Sequence, residues 1–168
     1  RRGLSIAAIS AVDIALWDIA EKVANLPLYQ LIGGAHRQHI PVYGYGMMLR
    51  PEPLEDLTVR FQEEARAIKD MGFVATKMKV GLGPRADIKL AEAVRRGIGD
   101  DFRFMVDANH CYTTSDAFEV GRALEDLDAY WFEEPIAPED LQGYRELRAG
   151  LNVNISGGEA EFNRWGWR

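Results

Sequence analysis

Apolar positions in the first 35 residues recur at a helical interval. Ile9, Val12, Leu16, Ile19 and Val23 fall three or four positions apart, with Ala7, Ala8, Ala15 and Ala20 between them, which predicts an amphipathic helix. Pro27 interrupts it, and Leu28 to Ile32 predicts a short second helix stopped by Gly33-Gly34. This segment has no strand pattern of its own, so its apolar face requires a partner. From about residue 39 the pattern becomes an alternation of short β runs and longer helical stretches.

The β runs are Ile40–Tyr45, Phe73–Val80, Phe102–Asp107, Ala129–Phe132 and Val153–Ser156. The helical patterns between them are Pro53–Asp70, Ile88–Gly97, Ser115–Leu127 and Glu139–Arg148. Pro53, Pro84 and Pro138 stand near helix starts, where a missing N–H costs nothing, and Gly72, Gly97, Gly99 and Gly150 stand near helix ends. A repeated β–α unit implies a parallel sheet, because parallel neighbours need a crossover helix. An open doubly wound sheet and a closed barrel both satisfy this pattern. No glycine-rich phosphate loop follows the first strand, which weakens the dinucleotide-binding version of the open sheet. A full barrel needs roughly 250 residues. The expected architecture is therefore α/β: an incomplete TIM (β/α)8 barrel of about five units over residues 39–168, preceded by a helical segment over 1–38.

Composition narrows the function classes. A formal net charge of −6 argues against a nucleic-acid or anionic-membrane partner. The single cysteine, Cys111, excludes an internal disulfide and offers no zinc spacing. A reducing, cytoplasmic location fits this cysteine usage. No apolar run reaches membrane-spanning length and no signal peptide opens the chain. The chain begins at Arg1-Arg2 and ends at Trp165-Gly166-Trp167-Arg168 without a stop signal, and is expected to be a piece of a longer one. The Trp165–Trp167 tail is expected to begin a fifth helix.

The chemistry lies at the strand ends. Asp107 closes Phe104-Met105-Val106, Glu133 follows Tyr130-Trp131-Phe132, and Glu159 follows Ile155-Ser156-Gly157-Gly158, at an even step of 26 residues. In a barrel all three arrive at the C-terminal rim, where barrel enzymes keep their catalytic groups. Three converging carboxylates repel unless a cation sits among them. A hard divalent ion with oxygen ligands, Mg²⁺ best, resolves this. One strand earlier, Lys77 and Lys79 share a face by alternation, with Thr76 and Met78 on the other. Burial and like charge lower a lysine pKa and make an amine base feasible, while nearby carboxylates pull the other way.

These motifs together resemble the mandelate racemase branch of the enolase superfamily. They are Lys77-x-Lys79, then Val106-Asp-Ala-Asn109, Phe132-Glu-Glu-Pro135 and Gly157-Gly-Glu159. Ser10-Ala-Val-Asp-Ile-Ala-Leu-Trp-Asp18 and Leu31-Ile-Gly-Gly34 are similar to that family's passage from capping domain to barrel. The resemblance implies that residues 1–38 are a remnant of an N-terminal capping domain. It also implies Mg²⁺-dependent loss of the α-proton of a carboxylate substrate through an enediolate, the superfamily chemistry in which a Lys or His base acts beside Mg²⁺. By position, Lys79 is the candidate base, and Lys77 contacts a substrate carboxylate oxygen. Asp107, Glu133 and Glu159 ligate Mg²⁺. Glu134 is a neighbouring support, since the family motif tolerates Gln there. Asn109, on the face of Asp107, touches substrate or a metal-bound water.

Alternation turns His110 away from Asp107, and His36 and His39 read as structural or surface residues. The expected reaction is dehydration of an acid sugar, with a racemase, epimerase or cycloisomerase as the alternative. The implied partner is a small-molecule sugar acid, with no nucleic acid or membrane, and the full-length protein is expected to be a homo-oligomer. Competing readings are a Schiff-base lyase with Lys79 as nucleophile and an inactive fragment lacking the second half of the site.

Overall fold

Gly44, Thr76, Phe104 and their successors two positions on point to one side of a sheet, and helices cover that side. The computed structural model describes residues 3–162, 164, 166 and 167. It divides into two units, one of residues 1–41 with 158–168 and one of residues 42–157. Trp165, where a further helix was expected to begin, lies outside the described residues.

The first unit holds α1 (Leu4–Ala24) and α2 (Leu28–Leu31). Asn25 ends α1 in the left-handed conformation, at φ 51°, a role short polar side chains tolerate. Pro27 precedes α2 at its N-cap. No residue of α1 is buried. Its stripe of Ile9, Val12, Leu16, Ile19 and Val23 is exposed, as a face without a partner of its own must be.

The second unit carries the β–α alternation. Its elements are β1 (Gly44–Tyr45), α3 (Leu54–Asp70), β2 (Ala75–Lys79), α4 (Pro84–Ile98), β3 (Arg103–Asp107), α5 (Thr114–Asp126), β4 (Trp131–Glu133), α6 (Leu141–Gly150) and β5 (Asn154–Ser156). All pairings are parallel and the strand order is β1-β2-β3-β4-β5. A doubly wound sheet reverses its strand order at a switch point. This sheet never reverses, and each helix packs on the next, α3 on α4, α4 on α5 and α5 on α6. All four helices therefore lie on one side, the arrangement of an incomplete (β/α)8 barrel.

The core sits between that side of the sheet and the helices. Met78, Phe104, Val106 and Phe132 meet Leu57, Phe61, Leu90, Val94, Val120, Leu124 and Leu147 in one buried cluster. Gly97 permits a close approach of α4 to α3: a Cβ there would fall 2.5 Å from the carbonyl oxygen of Gln62. Two boundaries differ from expectation. β1 is two residues long because only Gly44 and Tyr45 find partners, on β2. α4 begins at Pro84 rather than Ile88, with proline in the first turn where no N–H is required.

Candidate active site

The register places the side of the sheet opposite α3 to α6 in two rows. Tyr45, Lys77, Met105, Trp131 and Asn154 are aligned across the strands. Two residues further on, Lys79, Asp107, Glu133 and Ser156 form the second row. Strand alternation therefore delivers both lysines and two of the three predicted carboxylates to one face and one end of the sheet.

The groups form an ion cluster. Lys77 Nζ donates to both carboxylate oxygens of Glu133, at 3.0 and 2.9 Å, and lies 3.1 Å from Asp107 Oδ2. Lys79 Nζ donates to Asp107 Oδ2 at 2.6 Å and to Asn109 Oδ1 at 2.5 Å. The Asn109 amide donates to Asp107 Oδ1 at 3.1 Å. Asp107 is fully buried and Lys77 nearly so. Burial opposes the charge on both lysines, but the hydrogen bonds that Lys77 donates to Glu133 and Asp107, and that Lys79 donates to Asp107, outweigh it, and both pKa values are raised. Burial likewise opposes the Asp107 carboxylate, yet Lys79 and Lys77 hold its pKa below the ordinary range. Of the opposing effects weighed for the lysines, the carboxylates win in this arrangement.

Glu134 takes the opposite direction from Glu133. It is buried, with φ 43°, and its Oε2 lies 3.3 Å from His110 Nε2. His110 lies beyond the end of β3 with φ 68°, outside the reach of strand alternation, and its backbone amide donates to the Glu134 carbonyl at 2.8 Å. His36 and His39 are exposed. Glu159 lies three residues past the end of β5 and is exposed.

Sequence reasoning missed an aromatic floor. The Lys77 ammonium lies 5.7 Å from the Tyr43 ring centroid and 5.9 Å from that of Tyr45. Trp131 Nε1 donates to Glu133 Oε2 at 3.1 Å, and its ring meets Tyr43 edge-on. The available signal was alternation: Trp131 precedes Glu133 by two positions, and Tyr43 and Tyr45 are two apart.

The donor set suits a hard divalent cation. Carboxylate oxygens of Asp107 and Glu133 come within 4.8 Å of each other, and each carboxylate already draws a cation to itself. Oxygen-only donors of this charge select Mg²⁺-like ions over soft metals. Among the described residues, no helix is long and apolar enough to cross a membrane.

Known proteins share the sequence pattern and fold of this chain. A family model described as Enolase C-terminal domain-like matches residues 60–168. One described as Mandelate racemase / muconate lactonizing enzyme, N-terminal domain, matches residues 3–33. Relatives include acid-sugar dehydratases, cycloisomerases and an epimerase. The arabinonate dehydratase of Saccharolobus solfataricus is 42% identical over 166 residues, which span 98% of this chain and 43% of that protein. The 3,6-anhydro-D-galactonate cycloisomerase from Zobellia galactanivorans superposes with a TM-score of 0.88 at 46% identity, covering 99% of this chain and 45% of the other. A racemase from Streptomyces coelicolor A3(2), solved with bound magnesium, gives a TM-score of 0.82 at 40% identity, covering 95% and 43%. The chain thus spans less than half the length of the relatives it matches.

Proposed function

Because this chain belongs to the mandelate racemase/muconate lactonizing enzyme family of the enolase superfamily, we propose that the complete protein abstracts the α-proton of a small carboxylate substrate with the help of Mg²⁺. The reaction we favour is dehydration of an acid sugar. The observation that carries this reading is the row of Lys79, Asp107 and Glu133 with Lys77 beneath it, held by contacts of 2.6 to 3.1 Å.

Asp107, Glu133 and Glu159 are the residues that would hold Mg²⁺. Glu159 is included because β5 runs parallel to β4, with Ser156 aligned to Glu133, and Glu159 follows three residues later. The ion supplies fixed positive charge that favours the negative charge developing on the substrate carboxylate. Lys77, whose ammonium is stabilised by its neighbours, lies beside the substrate carboxylate and shares that charge. With the carboxylate charge of Asp107 shared with a bound cation, its hold on the Lys79 ammonium weakens, and Lys79 would take the α-proton in its amine form. As an amine it still donates one N–H to Asn109 Oδ1 and keeps its lone pair for the substrate. Asn109 thereby orients the base and offers its amide nitrogen to substrate. Glu134 supports the Glu133 turn through its contact with His110. In dehydration, the enediolate collapses to the carboxylate, the C–O bond to the β-hydroxyl breaks, and the departing oxygen takes a proton from a general acid of the complete protein to leave as water, while Lys79 returns its proton to solvent.

Cycloisomerisation or racemisation is the second reading, favoured by the 46% identity to a cycloisomerase. It uses the same first proton transfer. We further propose that residues 1–38 are a piece of a capping domain, that residues 39–168 are the first part of the catalytic barrel, and that the complete protein is a homo-oligomer.

The decisive experiment is Lys79→Ala in the complete protein. Exchange of solvent deuterium into the α-position of a sugar acid should fall by at least about a thousandfold, within the range for a lost general base. Mg²⁺ binding, followed by calorimetry, should persist. Retained exchange in Lys79→Ala would overturn the base assignment.

A further inference from the structure

Asp87 is a fully buried carboxylate outside the lysine–carboxylate rows. It sits in the first turn of α4, and both its oxygens are fully engaged. Oδ1 accepts from the amides of Gly81 and Leu82, each at 3.1 Å. Oδ2 accepts from the amide of Gly83 at 2.9 Å and from the hydroxyl of Tyr112 at 2.7 Å. Four donors offset the cost of burying the charge, and the helix N-terminus adds to this.

The donors come from two places in the chain. Gly81, Leu82 and Gly83 form the loop that leaves β2 directly after Lys79 and Val80. Tyr112 belongs to the loop that leaves β3 after Asp107 and Asn109. Tyr112 also reaches the next loop, since its amide donates to the carbonyl of Pro135 at 3.2 Å. Its ring packs against Phe132, centroids 6.0 Å apart. The three amides alone would tie the loop after β2 to the first turn of α4. The tyrosine hydroxyl does something else: it fastens the loop carrying the end of the lysine strand to the loop carrying Asn109.

We propose that Asp87 and Tyr112 are a positioning pair for Lys79. Neither reaches the reacting groups. Their hydrogen bond fixes where Lys79 Nζ stands relative to Asn109 Oδ1 and Asp107 Oδ2. The pair acts on the contact between Lys79 and Asn109 more than on the metal ligands, because Lys79, Asp107 and Glu133 are held within paired strands, whereas Asn109, which accepts from the Lys79 ammonium, stands beyond the end of β3 with φ 41°. This inference rests on the reading of Lys79 as the residue that moves the proton.

Tyr112→Phe in the complete protein tests it, since the ring and the three amide contacts of Asp87 are kept. With a panel of aldonic and aldaric acids in D₂O, kcat for α-deuterium exchange should fall about tenfold, as expected for a small displacement of a catalytic group. KM and the Mg²⁺ dissociation constant should stay within about twofold, because substrate and metal contacts are untouched. Hydrogen-exchange mass spectrometry should show residues 80–83 and 108–112 losing protection together. A purely structural bond would lower the melting temperature and leave kcat of the folded protein unchanged, and that result overturns the proposal. So does a loss of Mg²⁺ affinity in step with kcat. Should Tyr112→Phe not fold, Asp87→Asn is expected to give the same split, and failure of both to fold assigns the pair a purely structural role. If the unmutated protein exchanges no acid of the panel, the functional reading fails instead. Independent loosening of the two loops in Tyr112→Phe would then still overturn the positioning role.

Discussion

Glu133 and Glu134 are neighbours in sequence with opposite environments. Glu133 faces the lysines and accepts from Trp131, while Glu134 is buried towards His110. If Glu133 is the metal ligand, Glu133→Gln should abolish Mg²⁺ binding measured by calorimetry. Glu134→Gln should weaken it only by the roughly 10- to 100-fold typical of groups that support a ligand. Equal losses would show that the two roles are not divided in this way. Cys111 offers a prediction away from the rows. The residue is exposed, but its sulfur is desolvated, and with Asp87 nearby its pKa is pushed up to about 11. A raised thiol pKa leaves less thiolate at neutral pH. An ordinary thiol titrates near about 8.5. Higher intrinsic nucleophilicity offsets part of the difference, so alkylation by iodoacetamide at pH 8 should be on the order of tenfold slower than for a free cysteine. The rate should climb with pH until about 11.

At the scale of elements, Gly97 sets the distance between α3 and α4. A methyl group there would collide with the Gln62 carbonyl, and backbone cannot swing aside as a side chain can. Gly97→Ala should therefore destabilise by about 1–3 kcal/mol, read as a lowered urea midpoint with an unchanged slope. The helix and strand sequence was legible because both periods were clean: three or four residues in α3, α4 and α5, two residues in β2 and β3. Alternation also carried Lys77, Lys79, Asp107 and Glu133 to one face without any knowledge of tertiary contacts. What escaped was non-periodic. The hydrogen bond of Asp87 to Tyr112 spans 25 residues, and nothing in either local pattern marks one as the other's partner. Tyr43, Tyr45 and Trp131 were legible only as strand residues, because an aromatic strand residue looks alike whether it faces a helix or the interior of a barrel. The extent of β1 was overestimated for a related reason: Ile40 and Val42 have strand-forming side chains but are exposed, and strand length depends on pairing partners as well as propensity.

At the scale of the molecule, the ion cluster sits on the face of the sheet opposite helices α3 to α6. Among the described residues, β1 pairs only with β2 and β5 only with β4, so each presents one unpaired edge. Such edges, when exposed, are templates for pairing with another chain. The apolar stripe of α1, from Ile9 to Val23, is also exposed, and contiguous apolar surface promotes association. Closure of a barrel removes sheet edges and encloses the inner face, which strengthens every charge interaction there. The relatives this chain matches are more than twice as long as the matched segment. These features together predict how the 168-residue chain behaves by itself. It should self-associate in size-exclusion chromatography with light scattering, and it should exchange no α-deuterium into sugar acids even with Mg²⁺ in excess. A stable monomer that catalyses exchange would show that five strands and their lysine–carboxylate row suffice, and that the enclosure of the site contributes little to the proton transfer.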